Sequence, residues 1–174
     1  FQLIISQFKK SEIDTILVKT NALCNGQFAA MDWLNKPANH KQVSQISDFL
    51  KKTSKTYGLK YKAYNREEAQ KKGLGAFLAV NQGSSQDAAF TIMEYKSDNK
   101  NAKTVGLVGK CVLFDTGGIS IKGSANLHYM KSDLGGATAV IGALIAAAEM
   151  KLPVNIIAIL PITDNAVANN AYLP

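Results

Sequence analysis

Cysteine is scarce in this sequence. Cys24 and Cys111 are the only two in 174 residues, and two thiols do not make a disulfide framework. Cys24 falls in a helical pattern and Cys111 in an apolar strand, so both read as buried thiols, which suits a reducing compartment. Charge is also sparse, at 19% of residues, and no block of one sign stands out. The 20 Lys and Arg exceed the 13 Asp and Glu, for a formal +7, but the lysines are scattered. The densest groups, Lys51-Lys52-Thr53-Ser54-Lys55 and Lys71-Lys72, lack the arginine and aromatic interleaving that nucleic-acid sites favour. They read as solvated helix faces, so neither nucleic acid nor a membrane is the expected partner. The longest apolar run, Leu134 to Ala148, is too short to span a bilayer and is rich in Gly and Ala, as a buried helix would be. Internal repeats, low-complexity stretches and a basic-then-apolar leader are also missing. The chain begins at Phe1 and ends at Pro174, and both ends read as cuts through a longer protein.

What is present is a composition that is 47% hydrophobic, enough to bury a core in one domain, with part of a neighbour. Phe1 to Phe8 alternates loosely like a strand. Apolar residues at helical spacing predict a helix over Thr20–Leu34, broken by Asn35-Lys36-Pro37-Ala38-Asn39. Val43, Ile46, Phe49 and Leu50 make Gln42–Tyr57 an amphipathic helix closed by Gly58. Leu59–Tyr64 alternates as a strand, and Asn65 caps a short helix, Arg66–Lys72, closed by Gly73. Ala88–Tyr95 reads as a strand, Ser97–Lys103 as a polar turn, and Thr104–Phe114 as one continuous strand buried on both faces. Asp115–Lys131 is a glycine-containing loop, Leu134–Met150 a helix, Pro153–Pro161 a strand, and Thr163–Pro174 irregular. Strands alternating with helices predict an α/β fold: a mixed, mostly parallel sheet with helices on both faces. Ligands of such sheets sit beyond the carboxyl ends of the strands, where Asp115 falls.

Between Gly106 and Val140 four charged residues stand out: Lys110, Asp115, Lys122 and Asp133. Lys110 lies within an apolar strand and Asp115 at its end, and burying either charge alone is expensive. Pairing the two with each other, or placing both on a metal, offsets that cost. Hard divalent metals take carboxylate oxygens, and two metals about 3.5–4 Å apart share a bridging carboxylate and activate a water. A lysine ligates only as the neutral amine, which burial and the cation itself favour. Gly117 and Gly118 let the backbone approach a metal or substrate closely. Simpler readings exist for each residue: Asp133 capping the helix from Leu134, Lys122 on the surface of a loop, Lys110 and Asp115 as a structural ion pair.

The stretch resembles the cytosolic leucine aminopeptidase family of two-metal exopeptidases. The resemblance rests on Lys110, on Phe114-Asp115-Thr116-Gly117-Gly118, on Ile119-Ser120-Ile121-Lys122 and on Met130-Lys131-Ser132-Asp133-Leu134-Gly135-Gly136, all at the family's spacings. It extends to Ala29–Asn39, similar to the family's interdomain helix and Asn-x-Pro-x-Asn turn, to Gly73–Gly83, and to Lys151–Pro161. It implies an incomplete zinc-exopeptidase-like domain, in which residues 1–19 end a preceding domain, 20–34 form the interdomain helix and 35–174 the N-terminal part of the catalytic domain. It further implies two divalent metals, zinc or manganese, with Lys110, Asp115 and Asp133 as ligands and Asp115 bridging. Lys122 would be catalytic, holding the substrate carbonyl and stabilising the charge that develops on it, and Met130 would line the pocket for the first side chain. The implied activity is release of leucine-like N-terminal residues from peptides in the cytoplasm, by a homo-oligomer, a hexamer in the family. Cys111, Gly123 and Asp164-Asn165 depart from the family's Gly, Pro and Glu-Asn. The family's further carboxylates and arginine, in an Asn-Thr-Asp-Ala-Glu-Gly-Arg segment, do not occur here, so this chain alone is expected to be inactive or nearly so.

Three rival readings compete. Leu113-Phe114-Asp115-Thr116-Gly117 fits an aspartic protease signature, but that chemistry needs two such carboxylates and an all-β fold. Gly109-Lys110 is a poor P-loop, because Thr104 and Cys111 stand at required Gly and Ser or Thr positions. A truncated or inactive homologue, serving as a binding or assembly module, is the non-enzymatic alternative.

Overall fold

The structure, a computed structural model, describes residues 9–168 and 170–173. The strand expected over Phe1–Phe8 lies outside them. Helix α1 runs over Lys10–Asn35 and so begins well before the expected Thr20. Glu12 reaches back to accept the Lys9 N–H at 3.0 Å, which closes the first turn. The helix buries only Ala22, Gly26 and Trp33, and the apolar residues of its early turns, Ile16, Leu17 and Val18, are exposed. Cys24 on this helix is half-buried rather than buried.

Helix α2 (Val43–Thr56) and strand β1 (Lys60–Tyr64) follow as expected. Helix α3 (Arg66–Lys71) is capped by Asn65, whose side chain accepts the Glu68 N–H at 2.9 Å while Glu68 accepts the Asn65 N–H at 3.1 Å. A further helix, α4 (Gly75–Asn81), has no counterpart among the elements read from the sequence. After it come β2 (Ala89–Tyr95), β3 (Thr104–Val108), β4 (Cys111–Asp115), helix α5 (Gly135–Glu149) and β5 (Asn155–Asn165). A 3-10 turn, Leu127–Ser132, sits inside the expected loop.

The sheet is mixed. β5 is its centre: β2 pairs it antiparallel on one side and carries β1, while β3 and β4 both pair it parallel on the other. The parallel pairings are confined to β3 and β4. The expected continuous strand Thr104–Phe114 is therefore two strands, end to end along β5. β3 ends opposite Ile159 and β4 starts opposite Ile162. Pro161 of β5 falls in the gap, where no strand on that side needs the N–H that proline lacks. β5 accordingly runs through Pro161, where the sequence reading stopped, and continues to Asn165.

Alternate residues of β5, Ile156, Ala158, Leu160 and Ile162, are buried and share one core with Ile46 and Leu50 of α2 and Ile141, Leu144 and Ile145 of α5. On the opposite face Phe77 of α4 meets Phe90 edge-on at 5.5 Å, and Ile157 is still exposed. Helix α5 lies against α1, with Gly26 and Gly142 facing each other. Leu127–Glu149, turn included, is apolar and long enough to cross a membrane by length and composition, and half of it is buried, as in a core helix.

Candidate active site

The break between β3 and β4 decides where Lys110 points. The N-terminus of α5 closes on it: the Ala137 N–H donates to the Lys110 carbonyl at 2.9 Å. A side chain at Gly109 would lie 2.6 Å from the Ala137 Cα, and one at Gly136 would lie 3.0 Å from the Lys110 N. Glycine at both positions permits the approach. Lys110 thus leaves the strand ladder and its side chain is 59% exposed, against the buried lysine that an unbroken strand implied. Its Nζ stands 2.7 Å from Oδ2 of Asp133. The partner is Asp133 and not Asp115, so the Lys110–Asp115 ion pair does not form. Asp133 does not cap α5, whose N-cap is Leu134 without a side-chain bond. Its Oδ2 is buried and, despite the nearby ammonium, accepts no well-directed hydrogen bond.

Asp115 ends β4. Its Oδ1 accepts the Gly117 N–H at 3.0 Å and the Asn165 side-chain amide at 2.8 Å. Its Oδ2 accepts from Lys122 Nζ at 2.6 Å. Burial works to raise the carboxyl and is outweighed by these three donors, so it sits below the usual carboxylate range. Gly117 and Gly118 have φ of 89° and 69°, a region closed to most side chains. That turn lets the Lys122 N–H return to the Thr116 carbonyl at 2.9 Å, which brings the Lys122 side chain back over Asp115. Lys122 Nζ also lies 2.9 Å from Sδ of Met130.

The structure brings the five residues expected from the sequence into two groups, Lys110 with Asp133, and Lys122 with Asp115 and Met130. β4 and its ends provide Lys110 and Asp115. The 3-10 turn and its end provide Met130 and Asp133, and Lys122 spans between. Asn165 was not picked. Its side chain holds Asp115, and its carbonyl accepts from Thr116 N at 2.9 Å and Thr116 Oγ1 at 2.6 Å. The signal was its place at the carboxyl end of the central strand, hidden once the strand was ended at Pro161. Among the described residues, no three His, Cys, Asp or Glu cluster to hold a metal.

A profile of the cytosol aminopeptidase family, catalytic domain, matches residues 28–174. The chain belongs to that family. A probable cytosol aminopeptidase of Rickettsia felis is 41% identical over 147 residues, which cover 84% of this chain and 29% of that protein. Another, of Chlorobium limicola, is 43% identical over 148 residues, covering 85% and 29%. The chain thus spans less than a third of the length of the curated cytosol aminopeptidases it matches. Among solved structures, the bottromycin maturation enzyme BotP in complex with Mn superposes with a TM-score of 0.80 at 32% identity, over 98% of this chain and 36% of that one. The cytosol aminopeptidase of Coxiella burnetii gives 0.80 at 27% identity, over 90% and 34%.

Proposed function

We propose that this chain supplies part of the metal site of a metal-dependent aminopeptidase, which releases leucine-like N-terminal residues from peptides. The observation that carries the reading is the pairing of Lys110 with Asp133 and of Lys122 with Asp115, from the two ends of β4. The residues fit a divalent cation. Among the described residues, the buried Oδ2 of Asp133 is held only by the Lys110 ammonium, at 2.7 Å and poorly directed, so it keeps a lone pair for a cation. Two ligand atoms on one small divalent ion lie about 3 Å apart, close to the 2.7 Å between Lys110 Nζ and Asp133 Oδ2. Lys110 would ligate as the amine, giving up a proton on metal binding. Asp115, whose oxygens are oriented by Gly117, Asn165 and Lys122, would be the second carboxylate to hold metal. The metals, zinc or manganese, supply carbonyl polarisation and an activated water when bound. Lys122 then directs its ammonium at the substrate carbonyl and stabilises the negative charge that develops there. Met130 beside it offers an apolar wall to the first side chain.

The Mn-bound neighbour supports a divalent metal, and the family supports peptide substrates. On this reading residues 20–34 of α1 are the interdomain helix, between the end of a preceding domain in residues 1–19 and the catalytic part from residue 35 onward. The protein would be a cytoplasmic homo-oligomer, a hexamer by family resemblance.

The test is hydrolysis of leucine amide by the full natural protein, with and without chelator and with Mn²⁺ or Zn²⁺ restored. Turnover is expected only with metal, and Lys122→Met should lower kcat by at least about 100-fold, as loss of one transition-state donor does. Turnover that survives chelation would sink the reading. The absence of three clustered ligands among the described residues favours a second one, a binding or assembly module. Metal binding without turnover of any aminoacyl amide by the full protein would select it.

A further inference from the structure

The 3-10 turn Leu127–Ser132 carries Met130 and leads into Asp133, yet it buries no residue. It starts at Asn126, whose φ of 64° is left-handed, with no side-chain cap. None of its own residues reaches the core and no side chain caps its start; Leu134, two residues beyond it, is the nearest core residue. Lys41 lies behind it and is only 3% exposed. Its Nζ donates to the Lys131 carbonyl at 2.5 Å and to the Leu34 carbonyl, at the end of α1, at 3.3 Å. Lys131 returns the bond, its own Nζ donating to the Asn35 carbonyl at 3.3 Å.

Among the described residues Lys41 forms no ion pair with a carboxylate. Burial, then the nearby Lys131 charge, pulls it down to about 8, so its position is costly. A methionine or leucine would fill the same space without that cost. What the lysine adds is directed donors, and they are spent on two carbonyls from two different elements.

We propose that Lys41 is a positioning residue that clamps the Lys131 carbonyl to the end of α1 and so holds Met130 and Asp133 opposite Lys122 and Lys110. Its effect on metal affinity rests on the aminopeptidase reading, whereas its effect on the turn does not.

The experiment uses the full natural protein and two variants, Lys41→Met and Lys131→Ala. In the metal-free form, hydrogen exchange is read at the Tyr129 and Asp133 amides, which bond to Asn126 and Met130 within the turn. The Leu160 and Ile141 amides of β5 and α5 serve as references. Lys41→Met should cost these turn amides at least about tenfold in protection and leave the references unchanged. Lys131→Ala, at the surface, should cause a smaller loss at the same amides, and it keeps the clamp testable if Lys41→Met fails to fold. The Kd for Mn²⁺ should rise about 10–100-fold in Lys41→Met, the usual effect of losing a group that orients a ligand. Unchanged turn amides in both variants overturn the proposal, as does a uniform loss across the references. If the unaltered protein binds no Mn²⁺, the metal reading fails, and the exchange pattern alone decides the clamp.

Discussion

Asp115 accepts from a backbone N–H, an amide and an ammonium at once, and the amide is the donor that comes from a different strand. Removing it with Asn165→Ala leaves one oxygen held only by Gly117. Stability should fall by about 1 kcal/mol, the worth of one hydrogen bond. Mn²⁺ affinity of the full protein should fall about 10–100-fold, and calorimetric titration checks this. Lys41 provides a pH signature. Its folded value, about 8 against an ordinary 10.5, is lowered, so the folded chain sheds this proton before the unfolded chain does. Between pH 8 and 10.5 the unfolded state binds more protons, and stability relative to Lys41→Met should rise with pH. The rise should be on the order of 1 kcal/mol after solvent screening is allowed for, as read from urea melts of both proteins at pH 7 and 10. The neutral amine keeps two N–H groups, enough for both carbonyls. At this scale the four charged residues stood out because charge inside an apolar stretch needs a reason, and the structure pairs them as Lys110–Asp133 and Lys122–Asp115. Asn165 and Lys41 did not stand out, because an amide after a strand and a lysine among scattered lysines look like solvated surface until the chain is folded.

Elements were legible where the pattern had one cause and misread where it had two. Thr104–Phe114 is largely apolar on both sides of Gly109-Lys110, so only that dipeptide marks the break between β3 and β4. Gly109 was the trace of the break, and its meaning depends on Ala137 of a helix far along the chain. Central strands exclude proline as a rule, yet β5 runs through Pro161. The same break removes the neighbour that would have needed its N–H. α1 was half seen, because a helix that buries three residues in its length offers little periodicity. The contact of α1 with α5 is testable through its glycines. A Cβ at Gly142 would stand 2.7 Å from the Gly26 carbonyl oxygen. Gly142→Ala should therefore destabilise the chain by about 1–3 kcal/mol, although alanine favours an isolated helix by about 1 kcal/mol. A lower urea midpoint with an unchanged m-value is the expected result.

At the scale of the molecule, the proposed metal ligands come from the two ends of β4 and from the turn before α5, so metal binding should report on folding. Mn²⁺ at about 100 times its Kd should stabilise the full protein by about 2.7 kcal/mol. A thermal midpoint that rises with Mn²⁺ in the unaltered protein and stays fixed in Asp115→Asn is the expected outcome. The sheet has a further consequence, which belongs to its synthesis. β3 and β4 pair only with β5, which is the last of the five to leave the ribosome. Fifty-seven residues separate Val108 from Asn165, roughly 3–11 s of translation at about 5–20 residues per second. For those seconds Thr104–Val108 and Cys111–Phe114 emerge as apolar segments without their partner. They are the stretches of the nascent chain that a chaperone would be found holding.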